Sequence, residues 1–324
     1  MSNNPVSRLY YSFYHKRIRP FMDNLRSAEI SLSDLLLAQM HNGEFCHYDI
    51  VIKYMVLEHE FNNLYPDIWK TYHTLQLCDD EPYAQMRIAQ FRDVIASLKE
   101  KGYIPTKRLS VDKDLLVRDG SHRTAMAVFF DAPSVDVLFH SVPYEAEKRI
   151  SEYHSCPFSE EERTLIEEQL SRLIDKANIP INIVLLGSCC DEAGEACRLL
   201  ADYGEVVDCQ QYHPGEVNCY NLCRDLLDAA NLYGEKQDTK VSIKNSRVAV
   251  IRLKLAFPFI TTADNNEIKL LKRFINYRIP VIKQAGQIKS LLAEKTFIKD
   301  SQLFIPQNFS QNSKFADILD KYLK

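Results

Sequence analysis

The sequence predicts an α/β protein in two parts, and three observations carry that reading. Residues 83–139 run helix, hairpin, polar loop, helix and strand, a small mixed layer around one core. Residues 181–187, INIVLLG, form the continuous apolar run expected of a buried parallel strand. A helical stretch and a second strand follow it in β-α-β order. The chain's 324 residues also exceed what one ordinary domain holds. The expected boundaries are 1–145 for a first domain with an N-terminal helical extension, 146–180 for a helical linker, and 181–324 for a second α/β domain.

Each element follows from local pattern. The first ~24 residues are aromatic and basic (Tyr10, Tyr11, Phe13, Tyr14, Lys16, Arg17, Arg19) and read as a packing helix with snorkelling cations. EISLSDL (29–35) alternates like a short strand, with Ser33 placed to cap a helix from Asp34. Ile50, Val51, Tyr54, Met55, Leu57 and Phe61 recur at helical spacing. A second helix spans about Tyr83 to Lys101 and stops at Gly102. LSV (109–111), a turn at DKD (112–114) and LLV (115–117) form a hairpin. A loop over 118–123, a helix from Thr124 and a strand at VDVLF (135–139) follow. Ser159 caps the helix EEERTLIEEQLSRLIDKA, whose three leading glutamates suit its positive end. Further on come a helix over 191–202, a strand over 205–210, a helix over 217–233, a strand over 247–257, a helix over 265–277, and a strand or helix start at IPVI (279–282).

Composition narrows the function classes. Lys plus Arg total 40 and Asp plus Glu 44, a net charge of -4, which argues against a protein that coats nucleic acid. With 46% hydrophobic and 26% charged residues the chain is not a disordered one. No apolar run approaches the ~18 residues of a membrane-spanning helix. The start MSNNPVSRLYYSFYHKRIRP has no apolar signal-peptide core. A cytoplasmic protein without membrane insertion is expected. Nine cysteines, an odd number, do not read as a disulfide framework in a chain this long.

The chemistry concentrates in Asp119-Gly120-Ser121-His122-Arg123-Thr124, which follows a strand and opens a helix. Free amides at a helix N-terminus attract anions. Gly120 lets the main chain approach a phosphate, Ser121 and Thr124 supply hydroxyls, and Arg123 supplies a planar fork. His122 can donate a hydrogen bond or carry a proton. Asp119 can accept a proton or hold a divalent metal. The other reading of the same string is a capped loop in which Asp119 tethers Arg123.

The stretch IASLKEKGYIPTKRLSVDKDLLVRDGSHRTAMAVFFDAPSVDVLFH resembles the ParB/sulfiredoxin-fold superfamily, closely over about residues 85–140 and loosely over 25–84. Sulfiredoxins need a cysteine where Ser121 stands, so sulfinic-acid reduction is excluded. Partition proteins carry a more arginine-rich loop and a helix-turn-helix domain, for which the second half shows no pattern. The remaining relatives include kinases of the free-serine type. That resemblance implies an ATP-dependent phosphotransferase acting on a small hydroxyl compound, with ATP or another nucleotide and Mg²⁺. In it, Gly120, Ser121, Arg123 and Thr124 bind phosphates, His122 stabilises the transferring group, and Asp119 holds the metal or positions the acceptor. Glu58, one turn from Tyr54 on an apolar helix, is the candidate general base, and Arg87 a further phosphate ligand. Glu58 also reads as a solvated outer-face residue. The segments YDIVIKY (48–54), YAQMR (83–87) and DGSHR (119–123) are together similar to proteins of bacterial surface-polysaccharide gene clusters.

In the second half, LGSCC (186–190) after a buried strand suggests a Rossmann-like ligand edge, though neither a dinucleotide fingerprint nor a P-loop is present. Thr261, Thr262, Asp264 and Asn265 read as a polar loop that caps a helix or holds a nucleotide or sugar. Cys219 and Cys223 share a helical face, but without a C-x-x-C pair they read as buried thiols rather than zinc ligands. Two alternatives to a kinase stay open: a nucleotide-sensing module without turnover, and a polysaccharide-biosynthesis enzyme whose active site lies in the C-terminal half. A homo-oligomer is compatible with any of them.

Overall fold

The computed structural model describes residues 27–77, 81–105, 107–140, 144–231, 246–256, 260–264, 278–296 and 302–323. The helices expected over the first 24 residues and over 265–277 lie outside them. The fold is α/β, with parallel and antiparallel strand pairs.

The first sheet has the order β1-β6-β4-β5, from β1 (Ser27–Ser31), β4 (Leu109–Val111), β5 (Val117–Asp119) and β6 (Ser134–Phe139). β4 runs parallel to β6, while β1 and β5 pair antiparallel to their neighbours. Leu109, Val111, Val135, Val137 and Phe139 are buried at the period of two that a one-sided sheet requires. The short α1 (Leu32–Ala38) follows β1, and its cap is Ser31 rather than Ser33, because the Ser31 hydroxyl accepts from the Asp34 amide at 3.0 Å. A two-stranded hairpin of β2 (Met40–His41) and β3 (Glu44–Phe45) leads to α2 (Tyr48–Asn62), the central helix. Every residue from Ile50 to Leu57 is buried, the signature of a helix covered on all sides. α3 (Ile68–Gln76) and α4 (Glu81–Lys101) complete this layer, and Gly102 ends α4 at φ +73°. α5 (Ser121–Phe129) packs on α2.

The hairpin is one turn wider than its sequence suggests. Asp112 accepts backbone hydrogen bonds from Asp114 (2.8 Å) and Leu116 (3.0 Å), and Leu115 sits at φ +65°. This side-chain-built turn consumes residues 112–116, so pairing starts only at Val117. Consequently Asp119 ends the strand, Gly120 is the N-cap, and the helix begins at Ser121, three residues before Thr124.

After α6 (Ala146–Ser155) comes α7 (Glu160–Ala177), closed by a full capping box between Ser159 and Glu162. α7 packs on both α1 and α2. The second sheet has the order β12-β7-β9-β8, from β7 (Ile181–Leu186), β8 (Gly204–Tyr212), β9 (Val248–Leu255) and β12 (Leu303–Phe304). Every pairing in it is antiparallel, which corrects the Rossmann-like reading of this half. β7 is apolar throughout for another reason. Ile181, Ile183 and Leu185 join the core that also contains α1, α2 and the first sheet, while Val184 and Leu186 face a second core with Cys219, Leu222 and Phe315. Both faces are covered, so both must be apolar whatever the strand direction. A 3-10 turn (Gly187–Glu192) and α8 (Ala193–Leu200) replace the single helix expected over 191–202. α9 (Glu216–Asn231) follows β8. Thr261, Thr262 and Asp264 belong to β10 (Ile260–Asp264), paired with β11 (Arg278–Ile282), rather than to a ligand loop; Asn265 lies outside the described residues. α10 (Lys283–Lys295) and α11 (Phe309–Leu323) complete the described chain. Among the described residues no helix is long and apolar enough to cross a membrane.

The two halves are joined by a buried acid. Asp34 has no exposed surface and accepts from the amides of Phe309 (2.9 Å) and Ser310 (3.0 Å), the first turn of α11, and from the hydroxyls of Ser310 and Ser31. Burial raises its pKa, and these hydrogen bonds oppose that rise. A carboxylate at a helix N-terminus also meets the positive end of the dipole. We predict that Asp34→Ala, which strands the α11 amides, lowers stability by about 3 kcal/mol. Urea unfolding checks this; a loss below about 1 kcal/mol would show that α11 docks without the acid.

Candidate anion site at the heads of two helices

Two helices of the first half begin at one cavity. The head of α2 contributes His47, Tyr48 and Asp49; the head of α5 contributes Gly120 and Ser121. Their dipoles favour negative charge at the shared end. Gly120 is required there: it adopts φ +111°, and a Cβ on it would lie 2.7 Å from Leu109 Cδ2 and 3.0 Å from Arg123 Nη2.

Lys53 ties the two heads together. Its ammonium donates to Asp49 Oδ2 at 2.7 Å and to Ser121 Oγ at 2.6 Å, and the residue is 3% exposed. Burial lowers its pKa against the pull of Asp49, and the Arg87 and Arg149 cations push the same way as burial. Burial disfavours the Asp49 carboxylate too, but Lys53 and His47 overcome it and hold Asp49 well below the usual carboxylate range. The other Asp49 oxygen meets His47 Nδ1 at 3.1 Å. A continuous chain His47–Asp49–Lys53–Ser121 thus underlies the cavity.

The cavity holds about 570 Å³, within the range of small-molecule sites. Arg87, Arg118 and Arg149 add positive charge to its wall, and Tyr83, Tyr144 and Tyr153 add aromatic surface. Among the described residues, five buried side-chain polar atoms lack a partner. Three of them, His47 Nε2, Arg87 Nε and Tyr153 Oη, belong to residues of this one wall. Buried polar atoms are nearly always satisfied, so this concentration marks a place built for a ligand or for water.

The structure splits the residues that the sequence groups together. Gly120, Ser121, Asp119 and Arg87 line the cavity. Thr124 is buried and its hydroxyl donates to the Gly120 carbonyl at 3.2 Å, a structural bond within α5. His122 turns inward: Nε2 lies 3.0 Å from the Tyr72 hydroxyl, and its ring meets the Phe91 ring edge-on at 4.5 Å. Burial, helped by the Lys53 and Arg87 cations, pushes its pKa down to about 2, so it is a neutral, half-buried residue turned toward Tyr72 and Phe91 rather than a cation for phosphate. Arg123 points to the opposite side. It pairs with Asp119 at 2.8 Å, donates to the Arg108 carbonyl, and lines a separate cavity of about 810 Å³. The tether reading of the loop is therefore the observed geometry. Glu58 is absent from the cavity wall; it accepts from Tyr54 and Asn62 about 13 Å along the helix axis from Asp49. Among the described residues no three His, Cys, Asp or Glu side chains converge, and Asp119, the metal ligand expected from the sequence, is paired with Arg123.

His47, Asp49, Lys53 and Arg149 are the residues that sequence reasoning missed. One signal was present. Asp49 and Lys53 stand four apart inside the run Ile50, Val51, Ile52, Tyr54, Met55, and a lysine in such surroundings is buried only with a partner. In the second half, Cys189 and Cys190 are buried, and burial pushes the Cys190 thiol up to about 11, which argues against a nucleophile. Cys219 and Cys223 do share a face, and it is packed into the second core.

No protein-family model, curated protein or solved structure matches the chain.

The state of His122 has a measurable consequence. The unfolded chain takes up this proton near its ordinary 6.5, whereas the folded chain does not until about 2. Stability is therefore lost as pH falls below that ordinary value, at about 1.4 kcal/mol per pH unit. We predict that in His122→Gln the fall in stability between pH 6 and pH 4 is shallower by that amount; equal slopes in urea titrations would contradict the assignment.

Proposed function

We propose that the chain is a nucleotide-dependent phosphotransferase acting on a small hydroxyl compound, with the nucleotide phosphates held at the joint head of α2 and α5. One observation carries this reading: two helix N-termini, the Lys53 ammonium and the Arg87 and Arg149 guanidiniums surround a cavity whose wall contains unsatisfied polar atoms. Phosphoryl transfer depends mainly on positioning and neutralising a polyanion, which this set of groups does. The Ser121 amide and hydroxyl meet a phosphate oxygen. Lys53 holds Ser121 in place from below. Arg87 brings a guanidinium to the wall, and its buried Nε has no partner. The tyrosines Tyr83, Tyr144 and Tyr153 offer a base or sugar apolar faces to rest on. The resemblance of the 119–123 loop to free-serine-type kinases supports the same reading through Gly120 and Ser121, with His122, Arg123 and Thr124 removed from the phosphate contacts. A magnesium ion would arrive with the phosphates, and no step here runs through it.

Calorimetry with ATP tests the placement. Arg87→Ala is expected to weaken ATP binding at least tenfold, about 1.4 kcal/mol, whereas Arg123→Ala changes it by no more than about twofold. The reverse order would move the phosphates to the other cavity. Formation of ADP together with a phosphorylated acceptor separates turnover from nucleotide sensing.

A further inference from the structure

We propose that His47 is the proton acceptor for the attacking hydroxyl, held in the required tautomer by Asp49. This rests on the phosphotransferase reading and supplies the base that reading lacks. His47 is 5% exposed, and its ring stacks on Tyr144 with centroids 4.9 Å apart. Asp49 is ionised because Lys53 sits on one of its oxygens, so toward His47 it can only accept. The hydrogen of a neutral His47 therefore belongs on Nδ1, and Nε2 carries the lone pair. That Nε2 is buried and has no partner. A buried lone pair left unmatched on a residue that lines a cavity is one that a substrate hydroxyl reaching it would satisfy.

The other candidates in the wall are engaged. Asp49 uses both oxygens, on His47 and Lys53. Asp119 is paired with Arg123, and Glu152 with Arg149 at 2.8 Å. Burial pushes the Cys46 thiol up to about 12, which leaves no thiolate. His122 is not in the wall and is committed to Tyr72. Among the described residues of the wall, His47 alone combines an orienting carboxylate with an unused nitrogen.

The step balances with a nucleoside triphosphate as the co-reactant. The acceptor's O–H bond breaks, its electron pair stays on oxygen, and the proton moves to His47 Nε2. The oxygen bonds to the terminal phosphorus. The bond from that phosphorus to the bridging oxygen breaks, and its pair leaves with the nucleoside diphosphate. The imidazolium that forms lies against the Asp49 carboxylate and returns its proton to solvent after product leaves.

Two measurements on the full chain decide it. In ¹⁵N NMR of the histidine rings, with the His47 signals assigned by their loss in His47→Gln, the wild-type protein should show a protonated Nδ1 and a bare Nε2. Asp49→Asn should mix the two tautomers. In the second, ATP is converted to ADP in single turnover with water or glycerol as acceptor. His47→Gln should slow this by at least about 100-fold while ATP binding stays within twofold. A hydrogen on Nε2 in the wild type, or an unimpaired His47→Gln, overturns the proposal and leaves the phosphate site standing. Wild-type protein that fails to bind ATP, or binds it without turnover, overturns the phosphotransferase reading and the role of His47 with it.

Discussion

The buried ammonium of Lys53 is the constraint on which the rest of this half depends. It sits among apolar side chains and is stable there because Asp49 supplies the countercharge and Ser121 a second acceptor. An unpaired charge at such a depth costs several kcal/mol, so the pair and the hydroxyl stand or fall together. The arrangement fixes three things at once. It sets the distance between the heads of α2 and α5, it keeps Asp49 ionised, and through Asp49 it orients His47. Local sequence, helix packing and site electrostatics thus meet in one side chain.

The loop between β5 and α5 shows how a compact motif divides its labour. Gly120 makes the turn that only glycine can make in the available space. From that point successive side chains leave in different directions: Ser121 toward the cavity, His122 into the aromatic cluster of Tyr72 and Phe91, Arg123 back to Asp119 and Arg108. Consecutive helical residues are about 100° apart around the axis, so a string that reads as one functional unit cannot face one ligand. Its conspicuous cation and imidazole serve folding, and the charge around the proposed phosphate site comes from α2, α4 and α6.

Much of the fold was legible because hydrophobic spacing is local. α2, α4, the Ser159 capping box and β7 stand where the periodicity put them. The direction of β7 was not legible. A strand covered on both faces is apolar in either direction, and its antiparallel partner β9 lies more than sixty residues away. The extent of the hairpin turn was hidden because it depends on where the Asp112 carboxylate goes. The site was half legible. Gly120, Ser121 and Arg87 stand in its wall, whereas Glu58 fell away because nine helical residues, a half-turn of rotation and about 13 Å of rise, separate it from Asp49 at the cavity. His47 carried no signal at all, since its significance is a contact with Asp49 and an unmatched nitrogen.

The most direct test follows the backbone amides while pyrophosphate is titrated into the isotope-labelled protein. A phosphate seated between α2 and α5 should shift the Ser121 amide first, with Asp49 and the Arg87 side chain moving in the same saturating titration. Shifts confined to Arg108, Arg123 and their neighbours, with Ser121 still, would place the polyanion on the other side of the loop and contradict the account.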